Sequence, residues 1–142
     1  MAYDYNLQRF IDAQAPVYAD ALSILRRGMM CSPYMDFIFP RLRVAEEQSP
    51  PRLFAIGSVD EASAYLASPI LGGRYRECIG ALQHLPELSA AAIFGDIDAG
   101  KLHASMTLFS EATDEYLLET MMDVWFDSLL EPETMKGLGR TY

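Results

Sequence analysis

Eight consecutive residues, Gly95-Asp96-Ile97-Asp98-Ala99-Gly100-Lys101-Leu102, nearly spell a phosphate-binding loop. That chemistry requires glycine-rich backbone to cradle phosphates, a lysine on their terminal oxygens, and a Ser or Thr hydroxyl on magnesium. Here Leu102 stands where the hydroxyl belongs, and Asp96 and Asp98 put negative charge where phosphates would lie. The segment ahead of the loop reads as helix, not as buried strand, so a helix-capping loop is the better reading. A calcium loop is hinted at by the same residues. Counted from Asp96, however, the glycine falls fifth instead of sixth, and Thr107 occupies the twelfth place, where a Glu is needed.

The two histidines, His84 and His103, and the two cysteines, Cys31 and Cys78, offer little else. His84 precedes Leu85-Pro86 at a helix end. His103 shares no helical face with a cysteine or a close carboxylate pair, and no Gly-x-Ser-x-Gly elbow occurs. Spacing therefore implies no metal, no cofactor and no activated nucleophile. Both cysteines have apolar neighbours, as reduced thiols that pack like small hydrophobes do. Two patterns remain. Glu111, Glu115, Glu119, Asp123, Asp127 and Glu131 recur every four residues, which predicts one slowly drifting acidic stripe along a helix. Such a stripe would dock a basic protein partner or simply stay solvated. Lys101 and Ser105 lie one helical turn apart, with His103 and Thr107 on an adjacent side.

Helical periodicity must position these groups. It predicts a helix over 7–14 capped by Asn6, then one entered through Pro16 and closed by Gly28. Ser32-Pro33 starts another, which must stop before Pro40. Residues 43–52 are the most loop-like. Ser58-Val59-Asp60-Glu61 is a capping box for a helix over 62–67. Ser68-Pro69 opens a longer helix to about Leu85, with Leu71, Tyr75, Cys78, Ile79 and Leu82 facing inward and Pro86 closing it. A short helix over 90–94 ends at Gly95, and Asp98 caps the next, whose apolar stripe is Leu102, Met106 and Phe109. The most strongly periodic helix begins at Thr113-Asp114-Glu115 and runs through Leu129. Pro132 begins a last short turn. Leu53 to Ile56 has strand character, but an isolated strand has no partner. The expected fold is all-α, a single compact domain over 1–142 with seven to nine helices.

A hydrophobic share of 51% over 142 residues is enough for a core without staples. The net charge of −9 is uneven: residues 1–52 are neutral, 53–101 carry −3 and 102–142 carry −6. That acidic field disfavours nucleic acid, although Arg26-Arg27 and Arg41-Leu42-Arg43 form local basic patches. Met1-Ala2-Tyr3-Asp4-Tyr5 carries acid where a signal peptide carries base, and no apolar run approaches the length of a membrane span. A cytoplasmic protein without membrane contact is expected.

Read end to end, residues 6–139 resemble the bacterial family called domain of unknown function 1810, whose members are often labelled calpastatin. The resemblance rests on Leu7-Gln8-Arg9-Phe10, Ala13-Gln14, Tyr18, Ala21-Leu22, Gly28, Phe37-Ile38-Phe39-Pro40, Glu61-Ala62, Ala64-Tyr65-Leu66, Pro69-x-Leu71-Gly72 and Arg74. Its most specific stretches are Ile93-Phe94-Gly95 and Lys101-Leu102-x-x-Ser105-Met106-Thr107-Leu108-Phe109. The resemblance implies an all-α fold and no established reaction. The calpastatin label does not suit it, because calpain inhibitors of that kind are long disordered repeats. The resemblance also implies Ser-His-Trp-Met-Trp-Phe-Ile-Phe-Pro-Gln where this chain reads Ser32-Pro33-Tyr34-Met35-Asp36-Phe37-Ile38-Phe39-Pro40-Arg41. The family's usual lysine just after Gly28 and its following Gly-Leu-Gly loop are missing as well. An apolar frame with changed polar tips is the pattern of a retained fold with altered ligand preference.

These readings converge on a diverged binding module whose pocket is lined by Gln14, Tyr18, Ser32, Tyr34, Arg74, Lys101, Ser105 and Thr107. Arg74 and Lys101 would hold an anionic small molecule, with Tyr18 and Tyr34 offering faces for stacking. An enzyme acting on a nucleotide-like or phosphorylated metabolite is the rival reading, and it requires Arg74 and Lys101 to face one pocket. A third is an interaction protein using the acidic stripe.

Overall fold

Three helix starts are written into side chains. Ser58 accepts a hydrogen bond from the Glu61 backbone N–H, and Ser68 accepts one from Leu71, with Pro69 in the first helical position. Glu131 accepts from the backbone of Glu133 and Thr134, ahead of Pro132. Each side chain satisfies donors that a helix start leaves unpaired, and each proline occupies a position whose N–H is not needed. The computed structural model describes residues 5–44, 50–85 and 90–139. In order, these form α1 (Gln8–Gln14), α2 (Tyr18–Arg26), a 3-10 turn (Ser32–Tyr34) leading into α3 (Met35–Ile38), and β1 (Arg41–Leu42). A second 3-10 turn (Arg52–Phe54), β2 (Ala55–Ile56), α4 (Val59–Ala67) and α5 (Pro69–Gln83) follow. The chain ends in α6 (Ala90–Ala112), α7 (Tyr116–Phe126) and α8 (Pro132–Gly137). Among the described residues no helix is long and apolar enough to cross a membrane.

The fold is mostly α, as periodicity predicts, with several corrections. Asn6 does not cap α1. It adopts φ 54°, and Leu7 occupies the cap without a side-chain bond. Ser32 begins a 3-10 turn instead of capping a helix, and its hydroxyl goes elsewhere. The strand character of 53–56 does find a partner: β2 pairs in parallel with β1, Arg41 opposite Ala55 and Leu42 opposite Ile56. Pro40 follows α3 and releases the extended segment that supplies this partner. Gly95 does break α6 (φ 79°, ψ 165°), but helix resumes directly after it, so Asp98 sits in the first turn rather than at the cap.

The acidic stripe is not continuous. Glu111 belongs to α6, Glu115 is the cap residue of α7, and Glu119 and Asp123 lie on α7 itself. Asp127 then turns left-handed (φ 53°) and closes α7 short of Leu129, while Glu131 caps α8. The backbone N–H of Ser128 reaches back to the Met122 carbonyl at 3.0 Å, a closure that Asp tolerates better than most residues. The expected closure by Pro86 and part of the loop-like stretch, 45–49, lie outside the described residues.

α4, α5, α6 and α7 pack around an aromatic centre, with α2 against α5, and β1 and α8 against α6. Phe10, Phe39, Tyr65, Tyr75 and Phe109 are wholly buried. Tyr65 meets Phe10 edge-on at 5.2 Å, and Tyr75 lies 4.4 Å from Phe109, centroid to centroid. Arg9 clamps one flank of this core. Its Nε donates to the Leu53 carbonyl, Nη1 to those of Tyr5 and Asn6, and Nη2 to Ala55 O and to Glu61 Oε2 at 2.6 Å. Glu61 Oε1 in turn accepts from the Gly57 N–H.

Two predictions follow from this packing. A Cβ added at Gly72 would stand 2.1 Å from the Leu66 carbonyl oxygen, whereas at Gly73 it would meet nothing within 4 Å. Urea unfolding should therefore show Gly72→Ala destabilised by about 1–3 kcal/mol and Gly73→Ala stabilised by about 0.5–1 kcal/mol. Arg9→Lys retains charge but loses the planar fork, and should cost about 3 kcal/mol in the same assay.

Candidate functional site

On one flank of the molecule the chain assembles charges around an open space. Met35 and Ile38 bury the inner face of α3, leaving Asp36 outside the core. Beyond Pro40, Leu42 enters the core from β1, so Arg41, its neighbour on an extended segment, faces the opposite way. Arg41 Nη2 meets Asp36 Oδ1 at 3.1 Å. Lys101, on α6, stands 3.6 Å from Asp98 Oδ1, one turn earlier, and 3.9 Å from Asp36 Oδ1. The Ser32 hydroxyl donates to Asp98 at 3.1 Å. Asp98 is buried, and its charge is balanced by this hydroxyl, by Lys101 and by the start of resumed helix.

Asp36, Arg41 and Lys101 border a cavity of about 500 Å³. Asp36, Arg41, Leu42, Val44 and Pro51 form one side, Ile97, Gly100, Lys101 and Ala104 of α6 another, and Glu131, Glu133 and Thr134 the third. Arg41 carries a buried Nε–H that finds no acceptor among the described residues. A buried donor left unpaired costs about 1–3 kcal/mol, and a partly desolvated ion pair returns little stability. Leu or Met at these positions would serve the core at least as well.

The eight residues expected to share a pocket divide into four sets. Gln14, Tyr18 and Arg74 meet across α1, α2 and α5. Gln14 is buried, donates to Phe37 O at 2.7 Å and to Tyr65 Oη at 2.9 Å, and accepts from Arg74 at 3.4 Å. The Arg74 guanidinium lies 5.1 Å from the centre of the Tyr18 ring, and the Tyr18 hydroxyl donates to Glu77. Ser32 and Lys101 belong to the cavity network, through Asp98. Tyr34 bonds Asp20 at 3.3 Å. Ser105 and Thr107 are wholly buried: Ser105 pairs with the Tyr75 hydroxyl, and Thr107 accepts the N–H of Glu131. Arg74 is not in the wall that Lys101 shares; the second cation there is Arg41. Two signals pointed to that wall, the basic patch at Arg41-Leu42-Arg43 and the replacement of Trp and Gln by Asp36 and Arg41. Neither says that the two side chains meet.

Among the acids, Glu115 is held by Arg76 Nε at 2.6 Å, and Asp114, Glu115 and Glu119 line a smaller recess of about 210 Å³. His103 stacks on Phe126 at 4.2 Å, and its Nε2 donates to the Leu129 carbonyl at 2.7 Å. Among the described residues no three His, Cys, Asp or Glu side chains cluster closely enough to hold a metal ion. Burial pushes the Cys78 thiol up to about 12 despite its weak bond to the Tyr18 oxygen. Burial likewise raises the Tyr65 and Tyr75 phenols, with Gln14 and Ser105 pulling weakly the other way. Tyr18 is raised by burial and then by Glu77, and Tyr34 by desolvation and then by Asp20.

The sequence profile of a family described as "Protein of unknown function (DUF1810)" matches residues 4–138. A solved structure, that of the conserved hypothetical protein Rv1873 from Mycobacterium tuberculosis, is 35% identical and superposes with a TM-score of 0.88. The match covers 98% of this chain and 100% of that one. No curated protein matches.

The raised phenols set an alkaline limit. Unfolded tyrosine ionises at about pH 10, while folded Tyr65 and Tyr75 hold their protons above that. Their contribution to stability is full below about pH 10 and is lost as pH rises from there towards the folded values. The melting temperature should fall above about pH 10, and tyrosinate absorbance from these two rings should appear only together with loss of helical circular dichroism. In the native protein at neutral pH, iodoacetamide should label half-buried Cys31 before Cys78.

Proposed function

This chain belongs to the DUF1810 family of proteins of unknown function, and we propose that it is a small-molecule binding module whose site is the cavity between β1, α6 and α8. The ligand presents an anionic group to Arg41 and Lys101. One observation carries the reading: a cavity of about 500 Å³ has Arg41 and Lys101 together in its wall, 3.1 and 3.9 Å from the same Asp36 oxygen. Pockets of about 300–1,000 Å³ are usual for small ligands, and a guanidinium fork beside an ammonium is suited to a carboxylate or phosphate. Asp36 bridges both cations and holds them in place while the cavity is free of ligand.

Support for a binding module also comes from what surrounds the site. The tyrosines and cysteine with displaced proton affinities are displaced chiefly by burial, which makes them less reactive. The enzyme reading needs Arg74 and Lys101 on one phosphorylated substrate. Arg74 is instead engaged with Gln14 and Tyr18, and the interrupted acidic stripe gives a basic partner no continuous ridge.

A ligand that binds only the folded state stabilises it by about 2.7 kcal/mol at a hundredfold excess over Kd, which is several degrees in the melting temperature. Inorganic phosphate and succinate should raise the melting temperature beyond potassium chloride of equal ionic strength. Arg41→Gln should abolish that increment while retaining the helical spectrum, and Arg74→Gln should retain the increment. An increment that survives Arg41→Gln and is lost in Arg74→Gln would move the site to α2 and α5.

A further inference from the structure

We infer that the cavity takes a compact zwitterion, a molecule whose carboxylate or phosphate is joined by a short spacer to an ammonium group. This deepens the binding reading above and rests on it. The wall contains two cations, Arg41 and Lys101, but three anions, Asp36, Glu131 and Glu133. The three are not equivalent. Asp36 is committed to the two cations at 3.1 and 3.9 Å. Glu131 is committed to α8, where its oxygens accept from the backbone of Glu133 and Thr134 and from the Thr134 hydroxyl. Glu133 is different: its carboxylate has no hydrogen-bond or ion-pair partner among the described residues, although it is half-buried in the same wall.

One cavity thus holds a pair of cations, Arg41 and Lys101, and a carboxylate that neither of them engages, Glu133. A purely anionic ligand would satisfy the first and be repelled by the second. A polyphosphate would be repelled more strongly, since the wall as a whole is net negative. A purely cationic ligand would meet Arg41 and Lys101. Only a ligand bearing both charges answers both groups, and the apolar stretch contributed by Leu42, Val44 and Ile97 gives its spacer a surface to cover. Spacer length sets the fit.

The test uses the full chain and a series of ω-amino carboxylates from glycine to 6-aminohexanoate. Each is compared by calorimetry and thermal shift with the plain carboxylate and the plain alkylammonium of equal length. One chain length should bind at least tenfold more tightly than either single-charge analogue. Glu133→Gln should erase that preference and strengthen the response to phosphate and plain carboxylates, because the repelling charge is gone. Equal binding of amino carboxylates and plain carboxylates overturns the zwitterion and leaves the anion site standing. Silence from both series and from phosphate overturns the binding reading itself. A preference that persists in Glu133→Gln also overturns the assignment.

Discussion

The Arg9 guanidinium is the constraint on which the rest of the architecture depends. Its donors reach four backbone carbonyls and the Glu61 carboxylate, collected from the chain before α1, from the turn ahead of β2, from β2 itself and from the start of α4. A planar fork with fixed directions cannot be satisfied by carbonyls that wander. Satisfying it therefore places β2, β2 places β1 through their two-residue parallel register, and β1 places Arg41. Glu61 closes the circuit by accepting from Gly57 while its own N–H is held by Ser58. The cavity wall is positioned through a chain of backbone bonds that begins at Arg9.

Behind that clamp the interior is built to be inert. Tyr65 and Tyr75 bring hydroxyls into the apolar centre, and each is answered, by Gln14 and by Ser105. Gln14 also ties α1 to the Phe37 carbonyl and meets Arg74, so one buried amide links α1, α3, α4 and α5. Buried hydroxyls and amides with partners specify one packing arrangement, since any slip would strand several of them at once. The cavity follows another logic, with charges partly desolvated and one donor unanswered.

The resemblance sorts the residues along the same line. Arg9, Gln14, Glu61, Tyr65, Gly72 and Arg74 belong to the stretches shared with the family, and all of them are structural hubs here. At Gly72, α5 presses its backbone against the Leu66 carbonyl with no room for a side chain. Asp36 and Arg41 are departures, and they sit together in the cavity wall as an ion pair. Lys101 is shared and spans the two groups, reaching Asp98 within its own helix and Asp36 across it. The resembling stretches thus include the structural hubs and, through Lys101, part of the polar lining.

By itself the sequence determined what depends on near neighbours. Ser58, Ser68 and the prolines mark where helices begin, Gly28 and Gly95 where they bend or end, and the inward set of α5 is readable at every position because burial repeats with the helical turn. Even the shared character of Ser105 and Thr107 was visible, though not that their hydroxyls are spent inside the core. Tertiary structure decided whatever joins residues distant along the chain. It found β2 its partner across 43–54, divided the acidic stripe at a left-handed Asp127, and separated Arg74 from Lys101 while bringing Arg41 to it. Periodicity reports which face of an element is apolar. Which faces meet is set by the simultaneous satisfaction of buried groups, and that is a property of the folded whole.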